Sequence, residues 1–196
     1  MNFSTLNKDH QNVANKFLRF AKNLNNMPLN STAFKGYPID LIDDLPEVNE
    51  NAFDFTFVKT DLSESSLYDF DDKIKVLIGL PSLDTAPCQR EARQFNERLN
   101  AKEGVVGIII SKDLPFAMKR VCEAEGLSNI IPASDFRYND FSSEYNTEMT
   151  NGPLKGLIAR TVFVVDKNNK IRHVEITPDI AVEPDYDKIL SVVDSL

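Results

Sequence analysis

The chain has 196 residues, 42% of them hydrophobic, which is enough for one domain with a substantial core. Its net charge of -8 comes from 22 basic and 30 acidic residues with no basic run, so neither nucleic acid nor an anionic membrane surface is expected as a partner. Apolar stretches such as Val105 to Ile110 are too short to span a bilayer, and the opening MNFSTLNKDH has no apolar signal run, which predicts an intracellular, cytoplasmic protein.

In chain order, Val13, Phe17, Phe20, Ala21 and Leu24 fall at helical spacing and predict an amphipathic helix, ended by Pro28. It is read as a surface element without a catalytic role. Ala33 to Leu41 reads as a small hairpin around Gly36. Phe53, Phe55 and Phe57 alternate with small or polar residues and predict a strand with one buried face. Asp61 to Phe70 reads as a turn and short helix. Lys75 to Leu80 is an apolar run suited to the centre of a sheet, followed by a loop to Pro87 and a helix from Cys88 to Asn100. Val105 to Ser111 is a second buried strand, and Leu114 to Glu125 a helix stopped by Gly126. Asn129 to Pro132 is a short strand. Leu157 to Asp166 and Ile171 to Thr177 form a hairpin across Lys167 to Lys170, and Asp185 to Leu196 is a last amphipathic helix. Strands alternating with helices, then a terminal hairpin, predict an α/β fold: a mixed sheet covered by helices.

The two cysteines, Cys88 and Cys122, and the two histidines, His10 and His173, show no paired ligand spacing, so no metal and no other cofactor are expected. Gly152 to Gly156 lacks the phosphate-loop spacing, and neither histidine sits in a hydrolase-like context. A permanent disulfide is not expected in a reducing cytosol, which leaves each cysteine as inert core filler or as a redox group. Cys88 falls at the start of a helix after a central strand, where unpartnered backbone N–H groups favour a thiolate. The Thr85 hydroxyl, three residues earlier, either approaches the same pocket or caps the helix. Pro81 and Pro87 stiffen the loop. From the residues alone, a reactive and a structural Cys88 both remain open.

The pattern P-x-x-x-T-x-x-C, here Pro81, Thr85 and Cys88, resembles the peroxiredoxin signature. Ser111 to Ala117 leading into Arg120 to Leu127, Gly152 to Gly156 leading to Arg160, and Glu183 to Tyr186 are similar to segments of the thiol peroxidase subfamily, the atypical two-cysteine peroxiredoxins. The resemblance runs from about residue 32 to the end. It implies a thioredoxin-like domain over 31–196 with an N-terminal β-hairpin; the helical extension read over 1–30 is absent from the short family members and is a departure from the pattern. It implies a peroxidase that reduces hydrogen peroxide and organic hydroperoxides, with Cys88 as the peroxidatic cysteine and Cys122 as the resolving one. It further implies that Thr85 and Arg160 activate the thiolate and hold the peroxide, and that Pro81 shields the pocket. A homodimer and reduction by thioredoxin follow from the same resemblance.

Arg160 could instead serve a buried ion pair with a carboxylate such as Asp84, and both roles are compatible. Phe116, Met118 and Leu154 are candidate pocket-lining residues. A Cys88–Cys122 disulfide requires Cα atoms within about 7 Å, so local unwinding is expected at both helices on oxidation. Ala86-Pro87 replaces the more usual Gly-Val, which predicts a stiffer helix start. Gly79 stands where a bulky apolar residue is common, which predicts a wider pocket or looser packing. Two rival readings are a thiol-disulfide oxidoreductase, which usually carries a C-x-x-C pair absent here, and a redox sensor that reacts once and passes its oxidation on.

Overall fold

The computed structural model describes residues 31–196; the amphipathic helix expected before Pro28, and with it the 1–30 extension, lies outside them. The chain enters through a hairpin of β1 (Thr32–Phe34) and β2 (Tyr37–Ile39), whose turn places Lys35 and Gly36 at positive φ (52° and 80°). A seven-stranded mixed sheet follows. Its strands are β3 (Thr56–Val58), β4 (Glu64–Ser66), β5 (Ile74–Gly79), β6 (Val105–Ser111), β7 (Ile130–Ser134), β8 (Thr161–Val165) and β9 (Ile171–Ile176). Across the sheet the order is β4-β3-β7-β6-β5-β8-β9. The central β5, β6 and β7 run parallel, and the flanking pairs are antiparallel.

The helices are α1 (Ala86–Leu99), α2 (Pro115–Glu125), a short α3 (Asp140–Glu144) and α4 (Tyr186–Asp194). α1 and α2 are the crossovers that parallel pairing requires. β5 is buried along its whole length because both faces are covered. Val76 and Ile78 join Ala92, Phe95, Val121, Ile189 and Val193 under α1, α2 and α4. Leu77 on the other face joins Phe55, Phe57, Phe141, Tyr145 and Phe163. No helix among the described residues is long and apolar enough to cross a membrane.

The fold class read from the pattern holds, with corrections in detail. The Phe53 to Phe57 strand shrinks to Thr56–Val58: Phe55 and Phe57 are buried, but Phe53 is 46% exposed. β4 appears within the segment expected as a turn, and the short helix expected by Phe70 is a 3-10 turn at Leu67–Phe70. α1 starts two residues earlier than expected, at Ala86, and α3 was not anticipated. The long strand from Leu157 begins only at Thr161; Ile158 makes an isolated bridge to Glu148 instead.

Gly79 does not loosen the packing. A Cβ there would lie 2.6 Å from Thr161 Oγ1 and 3.0 Å from Ile158 Cγ2, so the glycine is what lets β8 come this close. Gly79→Val is expected to cost about 1–3 kcal/mol by overpacking, read from the denaturation midpoint. An unchanged midpoint would show that the neighbours yield freely.

Candidate active site

β5 runs parallel to β6 and delivers the chain at its carboxyl end into the loop that starts α1. β8 is antiparallel to β5, with Gly79 opposite Thr161. The residue just before β8, Arg160, therefore arrives at the same end of the sheet as Cys88. This is the place where open α/β sheets collect their functional groups.

Thr85 occupies the N-cap of α1, and Cys88 is the third residue of the helix, following Pro87. Pro87 has no N–H to offer, but first-turn N–H groups lack intrahelical partners anyway, so it fits without loss. Cys88 is 1% exposed and packed in the cluster beneath α1. Arg160, equally buried, spreads its guanidinium over three acceptors. Nη2 donates to Cys88 Sγ at 3.3 Å, Nε donates to the Ile180 carbonyl at 2.9 Å, and Nη1 donates to Glu91 Oε2. The fork is thereby locked in one orientation with one arm on sulfur.

Glu91 is one turn after Cys88 on the same helix face and is completely buried. Burial pushes its carboxyl up to about 7, against the opposing pull of Arg160. Its Oε1 has no hydrogen-bond partner among the described residues. Burial alone would pull Arg160 down, but Glu91 and Cys88 beside it outweigh that and hold the cation firmly charged. The ion pair foreseen for Arg160 thus exists, but with Glu91 and not with Asp84. Asp84 sits in the exposed loop and pairs with Arg120 at 3.3 Å. Sequence reading missed Glu91, although a lone carboxylate at the third position after Cys88, on the face formed by Ala92, Phe95 and Leu99, was a usable signal.

A raised carboxyl pKa in the folded state stabilises most at low pH, and that contribution is lost as pH rises through the folded value. Glu91→Gln is therefore expected to gain stability relative to wild type as pH rises from 4.5 through about 7. A constant difference between the two denaturation curves across that range would contradict the assignment.

The other predicted residues fall as follows. Pro81 is buried in the loop between β5 and α1. Thr85 is exposed, does not cap the helix, and donates to the Ser82 carbonyl at 2.9 Å; no hydrogen bond joins it to Cys88. Cys122 is half-buried on α2, packed against the same cluster as Cys88. Burial, and then Glu123, push its thiol up to about 11. Gly126 closes α2 in the left-handed region (φ 66°). Met118 lies in the Cys88 cluster, whereas Phe116 is 63% exposed in a groove with Leu62, Leu114 and Phe136. Leu154 packs on Ile39, Met149, Ala159 and Ile180. Among the described residues no three His, Cys, Asp or Glu side chains are grouped to hold a metal ion.

A thiol under a locked guanidinium at the head of a helix, on a thioredoxin-like sheet, defines a thiol oxidoreductase. The sequence pattern of the Redoxin family matches residues 47–190, and the chain belongs to that family. Within it the chain groups with the thiol peroxidases, peroxiredoxins that reduce peroxides at a thiol. It is 45% identical over 160 residues to a thiol peroxidase of Leptospira interrogans, covering 81% of this chain and 94% of that protein. It is 40% identical over 162 residues to a thiol peroxidase of Aquifex aeolicus, covering 83% and 95%. The crystal structure of a peroxiredoxin-like protein from Aquifex aeolicus superimposes with a TM-score of 0.81 at 38% identity, covering 85% of this chain and 96% of that one.

Proposed function

We propose that Cys88 is the peroxidatic cysteine and Cys122 the resolving cysteine of a thioredoxin-recycled peroxidase. The observation that carries this is the Arg160 Nη2 contact to Cys88 Sγ at 3.3 Å inside the core, which Cys122 lacks. The Cys88 thiolate attacks one peroxide oxygen, the O–O bond breaks, and the products are Cys88–SOH and an alkoxide or hydroxide that takes up a proton. Arg160 stabilises the charge that develops on the leaving oxygen, and the first-turn backbone of α1 adds partial positive charge. Thr85 keeps its oxygen lone pairs available to accept from the incoming peroxide, since its hydrogen is given to Ser82. Pro81 shields the thiolate from water.

Cys88–SOH then condenses with the Cys122 thiol to give the Cys88–Cys122 disulfide and water. Thioredoxin dithiol restores both thiols by exchange. The protonated state that burial favours at Cys122 suits a group that waits until its helix opens. A reducing, cytoplasmic setting and a homodimer belong to the same proposal, carried by the resemblance to the thiol peroxidase subfamily.

Peroxide consumption coupled to thioredoxin, thioredoxin reductase and NADPH tests the reading. Catalytic turnover with hydrogen peroxide and with an organic hydroperoxide is expected. A single stoichiometric burst would favour a redox sensor instead.

A further inference from the structure

We propose that Asp113 is a positioning residue that clasps the Cys88 loop to the head of the helix bearing Cys122. The inference rests on the two-cysteine cycle above and assigns the part of the fold that must let go in it.

Strand pairing between β5 and β6 ends with Gly79 opposite Ile110, and Leu80 N–H to the Ile110 carbonyl (3.1 Å) is its last backbone bond. Beyond that point the Asp113 side chain replaces the ladder. One carboxylate oxygen accepts from Leu83 N–H at 2.7 Å and from Ser111 Oγ at 2.8 Å; the other accepts from Ser82 Oγ at 2.9 Å. Its own carbonyl accepts from Ser134 Oγ at 2.6 Å, which pins the residue to β7. Leu83 is buried in the Cys88 cluster, and Asp113 stands two residues before α2 begins at Pro115. One residue therefore fixes the approach to Cys88 and the root of the helix that carries Cys122. Near the loop a further link, Asp84 to Arg120, is exposed and contributes little, and the Arg93–Glu125 ion pair joins the two helices only at the far end of α2.

Attack needs this loop held still, because Cys88 must stay under Arg160. Condensation of Cys88–SOH with Cys122–SH, which forms the S–S bond and releases water, joins a sulfur buried beneath α1 to one half-buried on α2, and the proposal takes the start of α1 and α2 to move relative to each other in that step. The Asp113 bonds to Ser82 and Leu83 cross that moving boundary. Losing them slows the first step and speeds the second, each by about tenfold, the order of one charge-assisted hydrogen bond.

Stopped-flow measurement of sulfenic acid formation and of disulfide formation, on wild type, Asp113→Ala, Asp113→Asn and Ser82→Ala, tests this. Asp113→Ala is expected to lower the first rate constant and raise the second. Ser82→Ala, which removes one arm, shifts both the same way but less. Asp113→Asn, which keeps an acceptor for Leu83 N–H but loses the charge and the second acceptor oxygen, shifts both constants the same way and less than Asp113→Ala. If both constants fall together, or neither moves, Asp113 is only a structural residue and the inference is overturned. Should Asp113→Ala fail to fold, an unchanged ratio of the two constants in Ser82→Ala overturns it equally. A wild type that forms no Cys88–Cys122 disulfide would sink the cycle itself, and that is read before any variant is made.

Discussion

Cys88→Ser is expected to abolish thioredoxin-dependent peroxide turnover, a loss of about 10^4-fold or more, as removal of a covalent nucleophile brings. A serine hydroxyl does not ionise at working pH, and its oxygen is a far weaker nucleophile toward an O–O bond than a thiolate. The fold should survive. Serine is close to cysteine in shape, and Arg160 Nη2, now 3.3 Å from sulfur, keeps an oxygen acceptor in the same place. Steady-state turnover paired with a thermal melt separates the two effects. Residual turnover within tenfold of wild type would move the attack to Cys122 or off the chain.

Arg160→Met is expected to slow the reaction of Cys88 with hydrogen peroxide by about 10^2–10^3-fold, the loss seen when a preorganised donor to a developing anion is removed. It should also destabilise the fold by about 3–5 kcal/mol at pH 8, because Glu91 is left buried without its cation. The sign with pH follows from Glu91. Without Arg160 its carboxyl is pushed further above its present value, so the variant keeps most of its stability near pH 5 and loses it as pH rises. Adding Glu91→Met to Arg160→Met should return stability without returning rate. Urea denaturation at the two pH values and single-turnover kinetics check both halves; a double variant that regains rate would show Arg160 to be purely structural.

The sequence made some of this architecture legible and hid the rest for identifiable reasons. β5 and β6 could be read from apolar runs because both their faces are covered, and Gly126 marked the end of α2 because it takes a left-handed conformation. β4, Glu64–Ser66, could not be read: a three-residue polar edge strand has no pattern, and its place is set by pairing with β3. α3 is too short for periodicity. It is held from outside by Asp135, whose carboxylate accepts from the N–H groups of Phe141 and Ser142.

The site divides in the same way. Pro81, Thr85 and Cys88 lie in one segment whose spacing carries the signal. Arg160 became visible through its segment, but its partner did not, because the pairing depends on the turn of α1 that brings Glu91, 69 positions away in the chain, into contact. Asp113 lies in the Ser111 to Ala117 segment, but nothing local marked its role, which depends on where β5 stops pairing with β6.

The most direct test of the central claim is intact mass with thiol labelling after one equivalent of hydrogen peroxide, on wild type and on Cys122→Ser. Wild type is expected to lose two hydrogens and both free thiols, and the variant to gain one oxygen at Cys88 that a sulfenic acid trap captures. Thiols that remain free and unoxidised after minutes in wild type, or an oxidised Cys122 beside an intact Cys88, would contradict it.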